Sequence, residues 1–229
     1  MSDYLLVHGA WSTGEVWHSL AERLEKAGHR VTVVDQLPSA GPDPASLGDL
    51  TSDARHVRRM LDGLDAPVVL VGHSYGGMVI TELADHPKVR HSVYLAAFWP
   101  QRGQSLLSVV GEDPMPAWIT AREDGALEVS NDLEVMREAV CADLDRDQAR
   151  ELLSRVALQS AASFAVPSTA PDRAHPTTYI IAAQESDNSI PVPVQEAMAA
   201  NADYVVRLPA AHFVQLSRPD ELAEVLGRI

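Results

Sequence analysis

The feature that most constrains this chain is the stretch Val68-Val69-Leu70-Val71-Gly72-His73-Ser74-Tyr75-Gly76-Gly77-Met78-Val79-Ile80. An unbroken β-branched and aliphatic run enters Gly-x-Ser-x-Gly, and a second apolar run with helical spacing leaves it. This is the context of a serine held on a sharp strand-to-helix turn. Such a turn brings two backbones close together, so small residues are needed two positions before and two after the serine, here Gly72 and Gly76. The serine oxygen then projects at the carboxyl edge of the sheet, beside the N–H groups that open the next helix. A bare Gly-x-Ser-x-Gly arises by chance in roughly one chain in ten of this length. The flanking runs and the order of its partners give it weight, and they make Ser74 the candidate nucleophile.

Elsewhere strands and helices alternate. Tyr4 to His8 reads as a first strand buried on both faces. Ser12-Thr13-Gly14-Glu15 has capping-box spacing for a helix that carries Trp17, Leu20 and Leu24 on one face and is ended by Gly28. Arg30 to Asp35 reads as a second strand and Leu37 to Pro44 as a loop. Leu47, Leu50, Ala54, Val57, Leu61 and Leu64 recur at spacings of three and four, the mark of an amphipathic helix, and the helix after Ser74 is expected to run to about Asp85. Further strands are expected at Val89 to Ala97, Thr177 to Ala183 and Tyr204 to Leu208, with helices over Val192 to Ala200 and Glu221 to Ile229. The pattern predicts an α/β fold with a mostly parallel, doubly wound sheet of about six strands, helices on both faces, and ligand sites at the strands' carboxyl ends.

The alternation lapses between Phe98 and Pro176, with a short hairpin near Ala126 to Val129 and helical patterns around Leu133 to Val140 and Asp147 to Val156. The expected organisation is therefore a core of residues 1–97 and 177–229 with a cap inserted at 98–176, whose apolar residues face the substrate. Trp99, Met115, Trp118 and Phe164 in this segment suggest a lipophilic or aromatic acyl group.

The chain has 18 Lys and Arg against 32 Asp and Glu, a net charge of −14. That balance argues against a nucleic-acid backbone or an anionic membrane as partner. Cys141 is the single cysteine, so no internal disulfide or four-cysteine metal site forms, and a reducing cytoplasm fits best. The apolar run at Leu5 to Val7 is too short for a signal peptide, and none approaches a membrane span.

A serine hydroxyl needs a base to take its proton and a third group to orient that base. His212 follows the last strand, in Leu208-Pro209-Ala210-Ala211-His212-Phe213, where a loop at the carboxyl edge can reach Ser74. His18, His29, His56, His86, His91 and His175 read as structural or exposed residues in helices or loops, and no metal-binding histidine pattern occurs. The acid should follow the preceding strand, where Asp187 and Glu185 both qualify, with Asp187 preferred; the order serine, acid, histidine is then satisfied. One oxyanion donor should be the N–H of Tyr75, directly after the nucleophile.

Val7-His8-Gly9-Ala10-Trp11, Gly72-His73-Ser74-Tyr75-Gly76-Gly77, Asp187-x-x-Ile190-Pro191 and Ala211-His212-Phe213 together resemble the α/β-hydrolase fold. More narrowly, they resemble the branch of plant methylesterases such as salicylate-binding protein, hydroxynitrile lyases and bacterial carboxylesterases. The resemblance spans essentially the whole chain and is specific for fold and triad, much less so for substrate. It implies Asp187 as the acid and the Ala10 N–H as the second oxyanion donor, with His8 and Gly9 supporting that loop and His73 packing beside the elbow. The implied activity is a serine carboxylesterase acting through an acyl-enzyme on a small-molecule methyl or aryl ester. Trp11, Trp99, Trp118 and Phe213 are expected in the pocket, and no metal or cofactor is called for. A homodimer is the one macromolecular association left open. A lyase is the first alternative, although the resembling lyases carry threonine at Gly9 and lysine at Phe213; a non-catalytic small-molecule receptor is the second.

Overall fold

The structure, a computed structural model, describes residues 1–111, 115–184 and 189–229. In chain order it contains β1 (Asp3–Val7), α1 (His18–Lys26), β2 (Arg30–Val33), β3 (Ala40–Gly41), α2 (Leu50–Gly63), β4 (Val68–His73), α3 (Gly76–Thr81) and β5 (Val89–Leu95). The inserted segment follows, with α4 (Leu106–Val110), β6 (Ile119–Ala121), β7 (Ala126–Val129), α5 (Leu133–Val140), α6 (Arg146–Leu153), β8 (Leu158–Ser160) and α7 (Ala161–Ala165). The chain closes with β9 (Thr177–Ala182), α8 (Val192–Ala199), β10 (Tyr204–Leu208), α9 (Val214–Ser217) and α10 (Pro219–Leu226).

Six parallel strands form the main sheet in the order β2, β1, β4, β5, β9, β10, as the alternation predicts. Successive residues point to opposite faces of a strand, so the central strands β1, β4, β5 and β9 feed two cores. Tyr4 and Leu6 of β1 join Leu20 and Leu24 of α1 and Leu222 and Leu226 of α10 on one side. Leu5 and Val7 join Leu50, Val57 and Leu61 of α2 and Met198 and Ala199 of α8 on the other. Chain order runs outward in both directions from the β1/β4 neighbourhood, and this crossover point is where an open sheet of this type leaves a crevice.

Local signals explain most boundaries. Gly28 adopts φ +87°; its N–H donates to the Glu25 oxygen and the His29 N–H to the Leu24 oxygen, the paired bonds that close α1. The capping box expected at Ser12 to Glu15 does not form. The Gly14 N–H bonds the Asp35 carbonyl at 2.7 Å, Gly14–Trp17 makes a 3-10 turn without a side-chain cap, and Glu15 pairs with Arg155 instead. α2 begins at Leu50 rather than Leu47, where Asp49 and Ser52 supply a capping box. α3 ends at Thr81, short of the expected Asp85. His91, expected in a helix or loop, lies on β5, where its Nε2 is 2.9 Å from the Thr178 hydroxyl. The hairpin of the inserted segment pairs β6 with β7 and then continues through β8 to β3, giving a second, antiparallel sheet in the order β3, β8, β7, β6. Through β3 the core itself supplies a strand to that sheet.

Behind the turn at Ser74, Asp53 of α2 is fully buried. It accepts from the Tyr75 hydroxyl at 2.7 Å and the Ser39 N–H at 2.8 Å, and burial raises its carboxyl to about 6.

Two outcomes follow. A Cβ at Gly77 would overlap the Phe98 carbonyl oxygen, whereas one at Gly28 meets nothing within 4 Å. In urea unfolding Gly77→Ala should cost about 2–3 kcal/mol and Gly28→Ala about 1 kcal/mol, from backbone strain alone; equal costs would contradict the packing. For Asp53 the folded-state value lies above the ordinary 3.8, so its contribution to stability is complete below 3.8 and is lost as pH rises through about 6. Unfolding of wild type and Asp53→Asn should show the difference moving in favour of the variant by about 2 kcal/mol between about pH 4 and about pH 8. A pH-independent difference would contradict a buried, titrating carboxyl.

Candidate active site

Ser74 sits between the end of β4 and the start of α3 with φ +54°, a left-handed conformation for a residue with a side chain. Such a conformation costs about 1–3 kcal/mol and persists only where surroundings over-determine it. Here they do: the Ser74 N–H donates to the Leu95 oxygen at 3.2 Å, and its own carbonyl accepts from the Gly77 N–H at 3.0 Å and the Phe98 N–H at 3.1 Å. The surrounding glycines allow this approach. A Cβ at Gly72 would lie 2.6 Å from the Gly76 oxygen, one at Gly76 would lie 2.7 Å from the Val7 oxygen, and one at Gly9 would lie 2.8 Å from the Ser74 Cβ.

His212 lies in the loop after β10, and that loop is held from three sides. The Gln184 N–H, at the end of β9, donates to the Ala210 oxygen at 3.0 Å. The Ala211 N–H donates to Asp143 of the inserted segment at 2.9 Å. The His73 Nε2 donates to the His212 carbonyl at 3.0 Å. Burial, and then the neighbouring His212, keep His73 well below the usual histidine range, so its single proton stands on the nitrogen that meets this acceptor. The two rings are 4.7 Å apart, with Phe213 against both. His73 thus does more than pack beside the elbow: it fixes the backbone of the candidate base. Its position next to Ser74 was the one sequence signal for that role. Asp187 and Glu185 lie outside the described residues.

Two peptide groups near the serine, in the loops after β1 and β4, have their carbonyl ends held by hydrogen bonds. A trans peptide is planar with its C=O and N–H pointing in opposite directions, so a bond to one end aims the other. His8 accepts the Leu37 N–H on Nε2 at 3.1 Å, which leaves its proton on Nδ1, and Nδ1 donates to the Gly9 oxygen at 2.8 Å. Burial lowers His8 to about 4, so this neutral tautomer holds at neutral pH. With the Gly9 oxygen held, the N–H of Ala10 at the other end of that peptide is directed away from His8. On the other side, the two bonds to the Ser74 oxygen aim the N–H of Tyr75 in the same manner.

Ser74, His212, Gly9 and Ala10 border one cavity of about 540 Å³, within the range of small-molecule sites. Trp11, Trp118, Phe213, Met136, Val140 and Leu216 supply much of its apolar wall, and Ser189 also borders it. Of the expected pocket aromatics, Trp11, Trp118 and Phe213 are therefore at the cavity. Trp99 is not: it stacks on Tyr94 with centroids 4.1 Å apart and lies under the Arg173 guanidinium. Phe164 is buried behind Trp11 and Tyr75. Glu15 and Glu151 line the outer part of the cavity, and both pair with Arg155. Among the described residues no cluster of His, Cys, Asp or Glu is arranged to hold a metal ion, and no helix is long and apolar enough to cross a membrane.

Comparisons with known proteins agree with this architecture. The carbendazim hydrolyzing esterase of a Nocardioides strain is 32% identical over the full length of both chains. The crystal structure of a pyrethroid hydrolase from Sphingobium faniae superposes with a TM-score of 0.86 at 28% identity, covering 99% of this chain and 96% of that one. An alpha-hydroxynitrile lyase of Arabidopsis thaliana is 35% identical over a shorter stretch, 42% of this chain and 40% of the lyase. Residues 4–225 match the alpha/beta hydrolase family, and with the parallel sheet and serine turn in place the chain belongs to that family.

Proposed function

We propose that this protein hydrolyses a carboxylic ester, a methyl or aryl ester of a small lipophilic acid, with Ser74 as nucleophile, His212 as base and Asp187 as the orienting acid. The observation that carries the reading is that Ser74, strained at φ +54°, and His212 border the same apolar cavity as the oxyanion loop. Ser74 Oγ attacks the ester carbonyl carbon while His212 takes its proton, and the carbonyl electron pair moves to an oxyanion held by the N–H groups of Ala10 and Tyr75. Collapse expels the alcohol, which receives its proton from His212. Water, deprotonated by the same imidazole, then attacks the acyl carbon; as the bond to Ser74 Oγ breaks and the acid is released, His212 returns the proton to the serine oxygen. The choice of Asp187 as the acid rests on its sequence position; of the described residues on either side of it, Gln184 bonds the His212 loop and Ser189 borders the cavity.

Residues 98–176 act as the cap in this reading, closing an apolar chamber over the serine with Trp118, Met136 and Val140. Arg155, already paired with two carboxylates, leaves the cavity mouth without a ready partner for an anionic substrate, which favours uncharged esters. The relatives named as esterases and hydrolases support ester cleavage. Gly9 and Phe213 provide neither the hydroxyl nor the ammonium group that stands at these positions in the resembling lyases, which speaks against cyanohydrin cleavage.

Ser74→Ala and His212→Ala should each lower kcat for a p-nitrophenyl acyl ester by at least about 10³-fold with the fold intact by circular dichroism. Turnover at the wild-type rate in Ser74→Ala would overturn the assignment.

A further inference from the structure

The inserted segment grips Trp11, the residue after the proposed oxyanion donor, at three points. The Trp11 N–H donates to Gln159 Oε1 at 3.2 Å, its indole Nε1 donates to the Leu127 carbonyl at 3.0 Å, and its own carbonyl accepts from the Ala157 N–H at 2.9 Å. Trp11 is itself left-handed, at φ +56°, so its conformation depends on being held. Gln159 is almost completely buried, and every polar group of its side chain is used. Its Oε1 takes the Trp11 N–H, and its Nε2 donates to the Ser39 hydroxyl at 2.9 Å and the Ser163 hydroxyl at 2.7 Å. The amide orientation is thereby determined, because the backbone N–H can only donate. From Ser39 the chain of bonds continues: the Ser39 N–H donates to Asp53 Oδ1, and the Tyr75 hydroxyl donates to Asp53 Oδ2.

We propose that Gln159 is a positioning residue for the oxyanion hole, holding the Trp11 N–H so that Ala10 is oriented from the side of the inserted segment as His8 orients it from the core. Two peptides flank Ala10. His8 holds the oxygen of the first, whose other end is the Ala10 N–H, and Gln159 holds the N–H of the second, so both peptide planes that meet at Ala10 are restrained. Through Ser39 and Asp53 the same buried network reaches the side chain of Tyr75, whose N–H is the other proposed donor. One connected set of hydrogen bonds therefore spans both sides of the hole, and one of its links comes from residue 159, outside the sheet that carries the serine. Gln159 does not border the substrate cavity, so its effect passes through the backbone of Trp11 and not through contact with substrate.

This inference rests on the esterase reading, and the test separates the two. Gln159→Met keeps the volume and removes the acceptor. For a p-nitrophenyl acyl ester it should lower kcat by about tenfold or more, a fraction of the loss on deleting an oxyanion donor, with KM within about twofold. An aryl trifluoromethyl ketone, whose serine adduct places an oxyanion in the hole, should bind more weakly in proportion to the fall in kcat/KM, while the affinity for the product acid stays within about twofold. If Gln159→Met does not fold, Ser163→Ala, which frees one of the two Nε2 bonds, should shift kcat and ketone affinity in the same direction by about threefold. Unchanged kcat and ketone affinity in a folded variant, with Ser74→Ala inactive, would overturn the role of Gln159 alone. Equal losses of ketone and product-acid affinity would overturn it too, by showing general collapse of the cavity. A Ser74→Ala enzyme that still turned over would instead overturn the esterase reading.

Discussion

The site depends on a backbone contact that only glycine permits. The turn from β4 to α3 crosses so close to the β1 loop and to Phe98 that Cβ atoms at 72, 76 or 77 would overlap main-chain atoms. That closeness lets the Ser74 carbonyl take two N–H groups and forces Ser74 itself into the left-handed region. The strain at the serine is thus maintained by the packing of the parallel sheet, whose strands β1, β4 and β5 are almost wholly buried. Deep burial at the centre of the sheet is what allows an unfavourable conformation at its edge.

Orientation of the surrounding groups uses neutral hydrogen bonds made by desolvated side chains. His8 and His73 are both held uncharged by burial, and each has a tautomer dictated by its partners. One aims a peptide beside the serine, and the other anchors the backbone of His212. The inserted segment adds a second set of restraints through Gln159 and Asp143, so the loops after β1 and β10 are each tied to both the core and the insertion. Bonds of this kind are worth only about 1 kcal/mol each to stability, but a displacement of about 1 Å at a reacting centre can cost about a hundredfold in rate.

Much of this was legible in the residues. Val68–Val71 and Tyr179–Ala182 are continuous apolar runs between turn signals, and buried parallel strands read that way. Ser74 and His212 stand at strand ends in the required order, and Gly28 closes α1 through the bonds its type favours. The failures have local causes. At Ser12 the capping pattern lost to tertiary contacts: Gly14 is drawn onto the Asp35 carbonyl, and Glu15 finds Arg155 in place of the helix start. β3 is two residues long and pairs with β8 more than a hundred positions away, so no periodicity could reveal it. Trp99 is expected in the pocket as an aromatic of the inserted segment, but sequence could not assign its side; it stacks on Tyr94 and does not border the cavity of Ser74. Gln159 carries no local signature at all, because its partner Trp11 lies 148 residues earlier.

Activation of Ser74 by His212, the step on which the proposed hydrolysis turns, can be read by labelling the protein with a fluorophosphonate and mapping the modified peptide by mass spectrometry. A single stoichiometric adduct on Ser74 that His212→Ala abolishes is expected. An adduct on another serine, such as Ser92 beside His175, or labelling of Ser74 that persists unchanged without His212, would contradict it.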